Sequence, residues 1–432
     1  MTLPYPRHAA TDPGDPGKPT RTVRFWVVPI VLSVAVLSAL AGLYLGGILN
    51  PATNLRHFPV AVVNEDNGPV GAQIVDGLVG ALDKDKFDVR VLSAADAAHQ
   101  LDTAQLYGEL HIPADFSSAL QTFAAASLQP GQATKPVLTV STNPRAGTLG
   151  AGIAGQTLGT AAAKANEQIG QRVSSEVAQR TGGAPVPAGV TMALAHPLDV
   201  QTDVHNPLPN GTGNGLSAFY YALLLLLAGF TGSVVVSTLV DSMLGYVPAE
   251  FGPVYRFAEQ AQISRFRTLL AKWALMILLA LITSGLYLAI AHGLGMPIPS
   301  AWALWGFGVF TIAAVGITAT SMIAVLGTLG LLVNMLVFVI LGLPSAGATV
   351  PLQAAPPFFG WLAKFEPMHQ VFLGVRALLY LGGRGDAGLH QALWMTAVGL
   401  VIGILLGAVV TTLYDRRGYH RIPGAVTAAR AE

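Results

Sequence analysis

The chain has 432 residues, 52% of them hydrophobic and only 11% charged, with a mean hydropathy of +0.54, a balance too apolar for an ordinary soluble protein. A formal net charge of +1 leaves no global field to recruit nucleic acid, so what matters is where the basic residues fall along the chain. Cysteine is absent, which excludes disulfides, thiolate metal sites and a cysteine nucleophile.

Residues 1–24 are rich in Pro, Gly and charge and cannot bury enough apolar surface to order themselves, so a disordered tail is predicted. From Phe25 to Leu49 runs a charge-free stretch of roughly 25 residues, enough at 1.5 Å per residue to cross a ~30 Å hydrocarbon core with some tilt. A cleaved signal peptide would carry a shorter apolar region of about 7 to 15 residues, which favours a retained transmembrane helix.

Residues 50–215 have a different texture. Strand-like runs (LRHFPVAVV, FDVRVLS, GELHIP, PVLTVST) alternate with helix-like ones (AQIVDGLVGALDK, AADAAHQLDTAQ, FSSALQTFAAA), and an Ala-rich helix is predicted over 151–180. VTMALAHPLDVQTDV is predicted as a final strand leading back to the membrane. Such alternation predicts an α/β domain with a mixed sheet, inserted between the first and second membrane helices.

Five further apolar spans follow, over 216–240, 269–294, about 302–326, 331–343 and 392–414. The fourth and fifth are separated only by Gly327, Thr328, Leu329 and Gly330, and the fifth is short, so a broken or re-entrant pair is one reading of them. The fold class predicted is a six-helix multi-pass membrane protein occupying 216–414 beyond the first helix, with polar loop 241–268, segment 345–385, and a tail from 415 to 432.

Basic residues cluster before the first span (Arg7, Lys18, Arg21, Arg24), between the second and third (Arg256, Arg265, Arg267, Lys272) and after the sixth (Arg416, Arg417, Arg421). With six spans all three clusters share one side, which the positive-inside rule assigns to the cytoplasm, placing both termini inside a plasma membrane and the α/β domain outside. Arg376 and Arg384 break the pattern.

The stretch FPVAVVNEDNGPVG, 58–71, ends a buried-strand run in Asn64, Glu65, Asp66, Asn67 and Gly68, with Pro69 at the head of the next helix. These are turn formers, and a strand-to-helix connection explains them. Asn64, Glu65 and Asp66 could also present oxygens to calcium, but their spacing is not that of an EF-hand loop.

VAVVNEDNG, followed some forty residues later by GELHIPADFSSAL, resembles the outer domain of the YhgE/Pip and DUF3533 proteins within the ABC-2 type transporter superfamily. Gly108, Leu110, Ile112, Pro113, Phe116 and Ser117 carry the second motif. The segment 341–379 is similar to the family's stretch after the fifth span through Pro351, Pro356, Pro357, Phe358, Phe359, Pro367 and Arg376; at Ala346–Ala348 the chain departs from the Ser-Gly-Gly-like run of relatives. The resemblance implies a bacterial permease subunit, a homodimer in contact with membrane lipid, with a separate ATP-binding subunit. It makes 345–385 an outer gate whose short helices, broken by Pro351, Pro356 and Pro367, dip into the membrane; the same residues also fit an outer loop with an aromatic belt.

The sequence contains no G-x-x-x-x-G-K-[ST], so no ATP phosphates are cradled by this chain, and no G-x-S-x-G nucleophile context. No enzyme activity, cofactor or metal ligand set is predicted; the ten histidines have no metal-ligand spacing. Intramembrane carboxylates of the sort used by proton-driven exporters are also missing from the spans, with Lys272 and His292 read as reaching the interface from the ends of the third and Asn334 unable to carry a proton. Glu250, Arg256, Glu259, Arg265 and Arg267 in the 241–268 loop are the candidates for contacting an ATPase. An equally good reading makes the loop a surface helix whose arginines meet anionic headgroups. Two functions remain open: export of an amphipathic or hydrophobic molecule, or a membrane-anchored assembly protein whose outer domain binds a secretion, cell-envelope or phage partner.

Overall fold

The computed structural model describes residues 23–129, 133–180, 187–256 and 258–419. Most of the predicted N-terminal tail, with Arg7, Lys18 and Arg21, and the C-terminal residue Arg421 lie outside these. Val23 and Arg24, assigned to the tail from sequence, instead open helix α1 (Val23–Ile48), which extends about half a turn ahead of the apolar run.

Strand β1 (Phe58–Asn64) is followed by α2 (Pro69–Ala81), β2 (Phe87–Leu92), α3 (Ala94–Asp102), β3 (Gly108–Ile112), α4 (Phe116–Ala126), β4 (Val137–Thr142), α5 (Thr148–Arg180), α6 (Ala188–Ala195) and β5 (Asp199–Val204). The strands form one mixed sheet in the order β2-β1-β3-β4-β5, antiparallel only between β3 and β4. Phe58, Val60 and Val62 of β1 meet Leu110 and Ile112 of β3 and Leu138 and Val140 of β4 in a core closed by α2, α4 and α5. β1 lies at the centre of the parallel part and is buried on both faces, hence its nearly unbroken run of Val and Phe. The Ala-rich α5 packs Ala154, Leu158 and Ala162 into that core.

The predicted strand after α5 is half right. Its first part, AGVTMALA, is the short helix α6, which buries Leu194 and lies so close to α5 that a Cβ on Gly170 would come within 2.0 Å of the Ala195 carbonyl. Only beyond Pro197 does the chain extend into β5.

Five long apolar stretches complete the chain: α7 (Leu216–Met243), α8 (Arg265–Gly293), α9 (Ala301–Leu326), the broken helix made of α10 (Thr328–Met335), a π-helical turn (Leu336–Ile340) and α11 (Gly342–Ser345), and α14 (His390–Arg416). With α1 they make, among the described residues, six helices long and apolar enough to cross a membrane, as predicted. Between the fifth and sixth lie α12 (Pro357–Ala363) and α13 (Pro367–Tyr380); α13 buries most of its residues against α7, α9 and α14. Helix α1 stands largely exposed, touching the bundle where Gly47 meets Pro344 and Phe359 and where the Tyr44 hydroxyl donates to the Val339 carbonyl at 3.2 Å.

The two family-like motifs of the sheet unit meet at Asp66. Its carboxylate accepts from the Ser117 backbone N–H (3.0 Å), the Ser117 hydroxyl (2.6 Å) and the Gly71 N–H (2.9 Å), while Ser117 Oγ accepts from the Val70 N–H at 3.1 Å. One side chain thereby satisfies orphan amides at the starts of both α2 and α4 and sits at the positive ends of both helices. Asn64 Oδ1 takes the Asp66 N–H at 3.1 Å and shapes the turn. The approach is so close that a Cβ on Gly68 would lie 2.3 Å from Ser117 Cβ, and one on Gly71 2.5 Å from Asn64 Oδ1. The turn reading of this stretch is therefore the one the geometry supports.

Burial alone would raise the Asp66 carboxyl, but hydrogen bonds from Ser117, Gly71 and Gly68 outweigh it and hold the group below the ordinary carboxylate range. A folded-state value below the unfolded one contributes stability that is fully present above the ordinary pKa of about 4 and is lost as pH falls through the folded value. Asp66→Ala is expected to cost about 1–3 kcal/mol. Hydrogen exchange should quicken at the first turns of α2 and α4 together, and the deficit should shrink on acidification.

Candidate functional site

Helices α9 and α14, the π-helical turn and the start of α13 line a half-open hollow of about 230 Å³ on the flank of the bundle. Its wall is apolar, with Val315 and Met322 from α9, Phe338 from the π turn, Val371 from α13 and Ile402 from α14. Its polar side chains are Thr318, Thr396 and Gln370, and two of the three are already engaged. Thr318 donates to the Gly399 carbonyl at 3.2 Å, and the Gln370 amide donates to the Ala363 and Lys364 carbonyls while accepting from Gln391 at 3.1 Å. Such a wall suits alkyl or aromatic surface and offers an ion nothing.

The hollow exists because two irregular elements border it. The π turn inserts an extra residue, and π-turns of this kind concentrate at functional sites. Opposite it, α13 begins abruptly after the 364–366 reversal. Glu366, 2% exposed, caps it by accepting from the His369 N–H at 3.0 Å, and Pro367 takes the first helical position. The second Glu366 oxygen packs against Gly342 of α11, where a Cβ would lie 3.0 Å from it. Glu366 was missed from sequence, although an acidic residue directly before a helix-starting proline is a legible cap.

The apolar spans are also less free of buried charge than predicted. Lys272, read as reaching toward an interface, is 1% exposed, with its ammonium 2.8 Å from Asp241 at the matching end of α7. Pairing takes the place of snorkelling, since a buried cation needs a counter-charge. Asn334 is buried too, and donates to the Ala319 carbonyl at 3.0 Å.

The 241–268 loop is not the surface helix that one reading predicted. It forms a small hairpin, β6 (Ala249–Phe251) paired antiparallel with β7 (Val254–Arg256) about Gly252, whose φ of +58° a turn glycine accommodates. The Gly-Pro dipeptide at 252–253 and alternating side chains favour a hairpin over a helix there. The side chain of Glu250 lies outside the described residues; Arg256, Glu259 and Arg267 are exposed. Arg265 is not comparable with them. Its Nε donates to the Tyr419 carbonyl at 2.6 Å, its guanidinium lies over the Tyr414 ring at 5.5 Å, and Asp415 accepts from the Arg265 and Phe266 N–H groups at 2.9 and 3.0 Å. Asp415 thus caps α8 across the bundle, alongside the local cap from Ser264 to the Arg267 N–H.

The seven residues of the expected gate do not form one cluster, and Pro367 sits apart from the rest at the start of α13. Phe358 is exposed and joins Trp361 and Phe365 in an aromatic patch on the outside of α12, with Pro356 and Pro357 starting that helix. Phe359 is buried beside Gly47 of α1. Pro351 and Arg376 face the sheet unit instead: a Cβ on Gly150 would lie 3.1 Å from Pro351, and Arg376 donates to the Ala146 carbonyl at 3.1 Å.

Arg376 is one of several ties across that junction. Arg145 donates to the Tyr380 and Pro207 carbonyls, Arg384 approaches Asp102 at 3.4 Å, and the Tyr107 hydroxyl donates to Gln353 at 3.2 Å. Burial pushes the Tyr107 phenol up to about 12, with nearby Arg376 pulling it down, so it remains a neutral donor at physiological pH. Arg376 and Arg384, which broke the charge pattern along the chain, are spent on this junction.

A family model described as DUF3533, protein of unknown function, matches residues 28–408. The chain belongs to the DUF3533 family. The match runs from α1 into α14, so it takes in the sheet unit, the hollow and the hairpin together. No curated protein and no solved structure matches this DUF3533 chain.

The capping role of Asp415 predicts that Asp415→Ala lowers stability by about 0.5–2 kcal/mol. Arg267→Glu, on an exposed side chain with no described side-chain partner, is expected to stay within about ±0.5 kcal/mol. Thermal unfolding of the two purified variants checks this pair.

Proposed function

We propose that this protein is an ABC-2-type permease subunit that exports an amphipathic or hydrophobic molecule, driven by a separate ATPase. The observation that carries the reading is the apolar hollow bordered by the π turn and the start of α13, since an export path for a greasy molecule needs an apolar resting place beside elements that can rearrange. The exposed Phe358, Trp361 and Phe365 patch supports placing α12 at a membrane interface. The basic cluster at Arg256, Arg265, Arg267 and Lys272 supports putting the 241–268 loop in the cytoplasm and the sheet unit outside, within a bacterial plasma membrane. Exposed Arg256, Glu259 and Arg267 are then the surface for the ATPase, while Arg265 holds α8 to α14. The unpartnered flank of α1 is compatible with a homodimer.

A second reading makes the protein a membrane-held platform for a secretion, envelope or phage partner. It is favoured by the way Arg145, Arg376 and Arg384 bolt the sheet unit to the bundle, which would present that unit in a fixed orientation.

Two measurements separate these readings. Tagged protein purified from its native membrane should bring down an ATPase at stoichiometric level, and Arg256→Glu/Arg267→Glu should release it without loss of folded protein. Recovery without an ATPase, or with extracytoplasmic partners alone, would support the platform. Val398→Trp, at the partly exposed rim of the hollow, should lower transport by about tenfold or more in a substrate-loaded vesicle assay while leaving the unfolding temperature unchanged. Undiminished export by this variant would remove the hollow from the pathway.

A further inference from the structure

The sheet unit carries a second feature that the transport reading does not use. Along α5, Ile169, Val173 and Val177 recur every four residues and form a buried apolar stripe. The adjacent stripe holds Lys164, Gln168, Arg172, Glu176 and Arg180, again at four-residue spacing. Between this edge of α5 and helices α2 and α4 lie two hollows, of about 240 and 390 Å³, which share Val70, Gln73, Ile169 and Arg172. They meet beneath a bridge in which the Arg172 guanidinium donates to the Gln73 side-chain carbonyl. The far wall is the apolar edge of α4, through Leu120 and Ala124, continued by Leu128 just beyond its end. From Lys164 to Arg180 the groove runs roughly 24 Å at 1.5 Å per residue.

Shape and charge together narrow the occupant. The floor is apolar at Ile169, Val173 and Val177, with Gln73, Gln121 and Gln168 along the walls, and the groove is long, so a compact polar ligand would leave most of it unfilled. The rim carries three cations, Lys164, Arg172 and Arg180, against one anion, Glu176, and guanidinium groups pair with carboxylates in two-pronged fashion. We infer that this groove binds a single long acyl chain bearing a carboxylate, with the chain along Ile169, Val173 and Val177 and the headgroup at Arg172 or Arg180. The site stands whether the membrane helices transport or only anchor.

The test uses the full-length protein in amphipol and a long-chain saturated fatty acid carrying a terminal diazirine. After irradiation, the label should map to peptides of α2, α4 or α5. It should fall by about tenfold or more in Arg172→Glu/Arg180→Glu, whose changed side chains are exposed, and rise in Glu176→Lys. A methyl ester of the same chain should label poorly. Label confined to residues 216–416, equal labelling by the ester, undiminished labelling of the double variant, or a co-purified peptide in the groove would each overturn the assignment.

Discussion

A charge or a backbone amide withdrawn from water has to find a partner inside the protein, and this chain has few charges to place, 24 basic and 23 acidic residues in 432. Four carboxylates withdrawn from solvent hold the start of a helix or a basic group. Asp66 joins α2 to α4, Asp415 joins α14 to α8, Glu366 starts α13, and Asp241 meets Lys272. The packing of the bundle and of the sheet unit follows from where these anchors stand, because an apolar surface alone specifies neither register nor orientation.

The same constraint shapes the junction between the sheet unit and the bundle. Arginine is well suited to it, since one guanidinium can satisfy carbonyls that belong to different elements, as Arg145 does for Tyr380 and Pro207. The hollow on the flank of the bundle is the complement of this arrangement. Of its polar neighbours, Thr318 and Gln370 are satisfied by carbonyls beside them, which leaves a mostly apolar space.

Much of this was legible in the sequence, and the limits have physical causes. Hydropathy located all six long helices, because a charge-free run of that length has few other uses. Period-two and period-four patterning found the strands and most helices of the sheet unit, but not α6, whose residues read as the start of β5. The turn at Asn64–Gly68 was recognised as a turn, yet its partner Ser117 lies about fifty residues away, so the shared carboxylate could not be seen. Lys272 was misplaced for the same reason: its partner is on another helix. In the 241–268 loop, helical and hairpin readings compete over a short stretch of mixed polarity, and the turn at Gly252 decided it. Glu366 was in plain view as a helix cap, but its burial depends on how α12 and α13 fold back, which no local pattern records.

The central claim is that the hollow bordered by α9, the π turn, α13 and α14 is a resting place for an apolar molecule. The most direct test is an electron cryo-microscopy map of the full-length protein purified from its native membrane under mild conditions. The account predicts elongated non-protein density against Val315, Phe338 and Val371, with the π turn retained. A map in which Phe338 and Met322 close over an empty space, and the π turn has become regular helix, would contradict it.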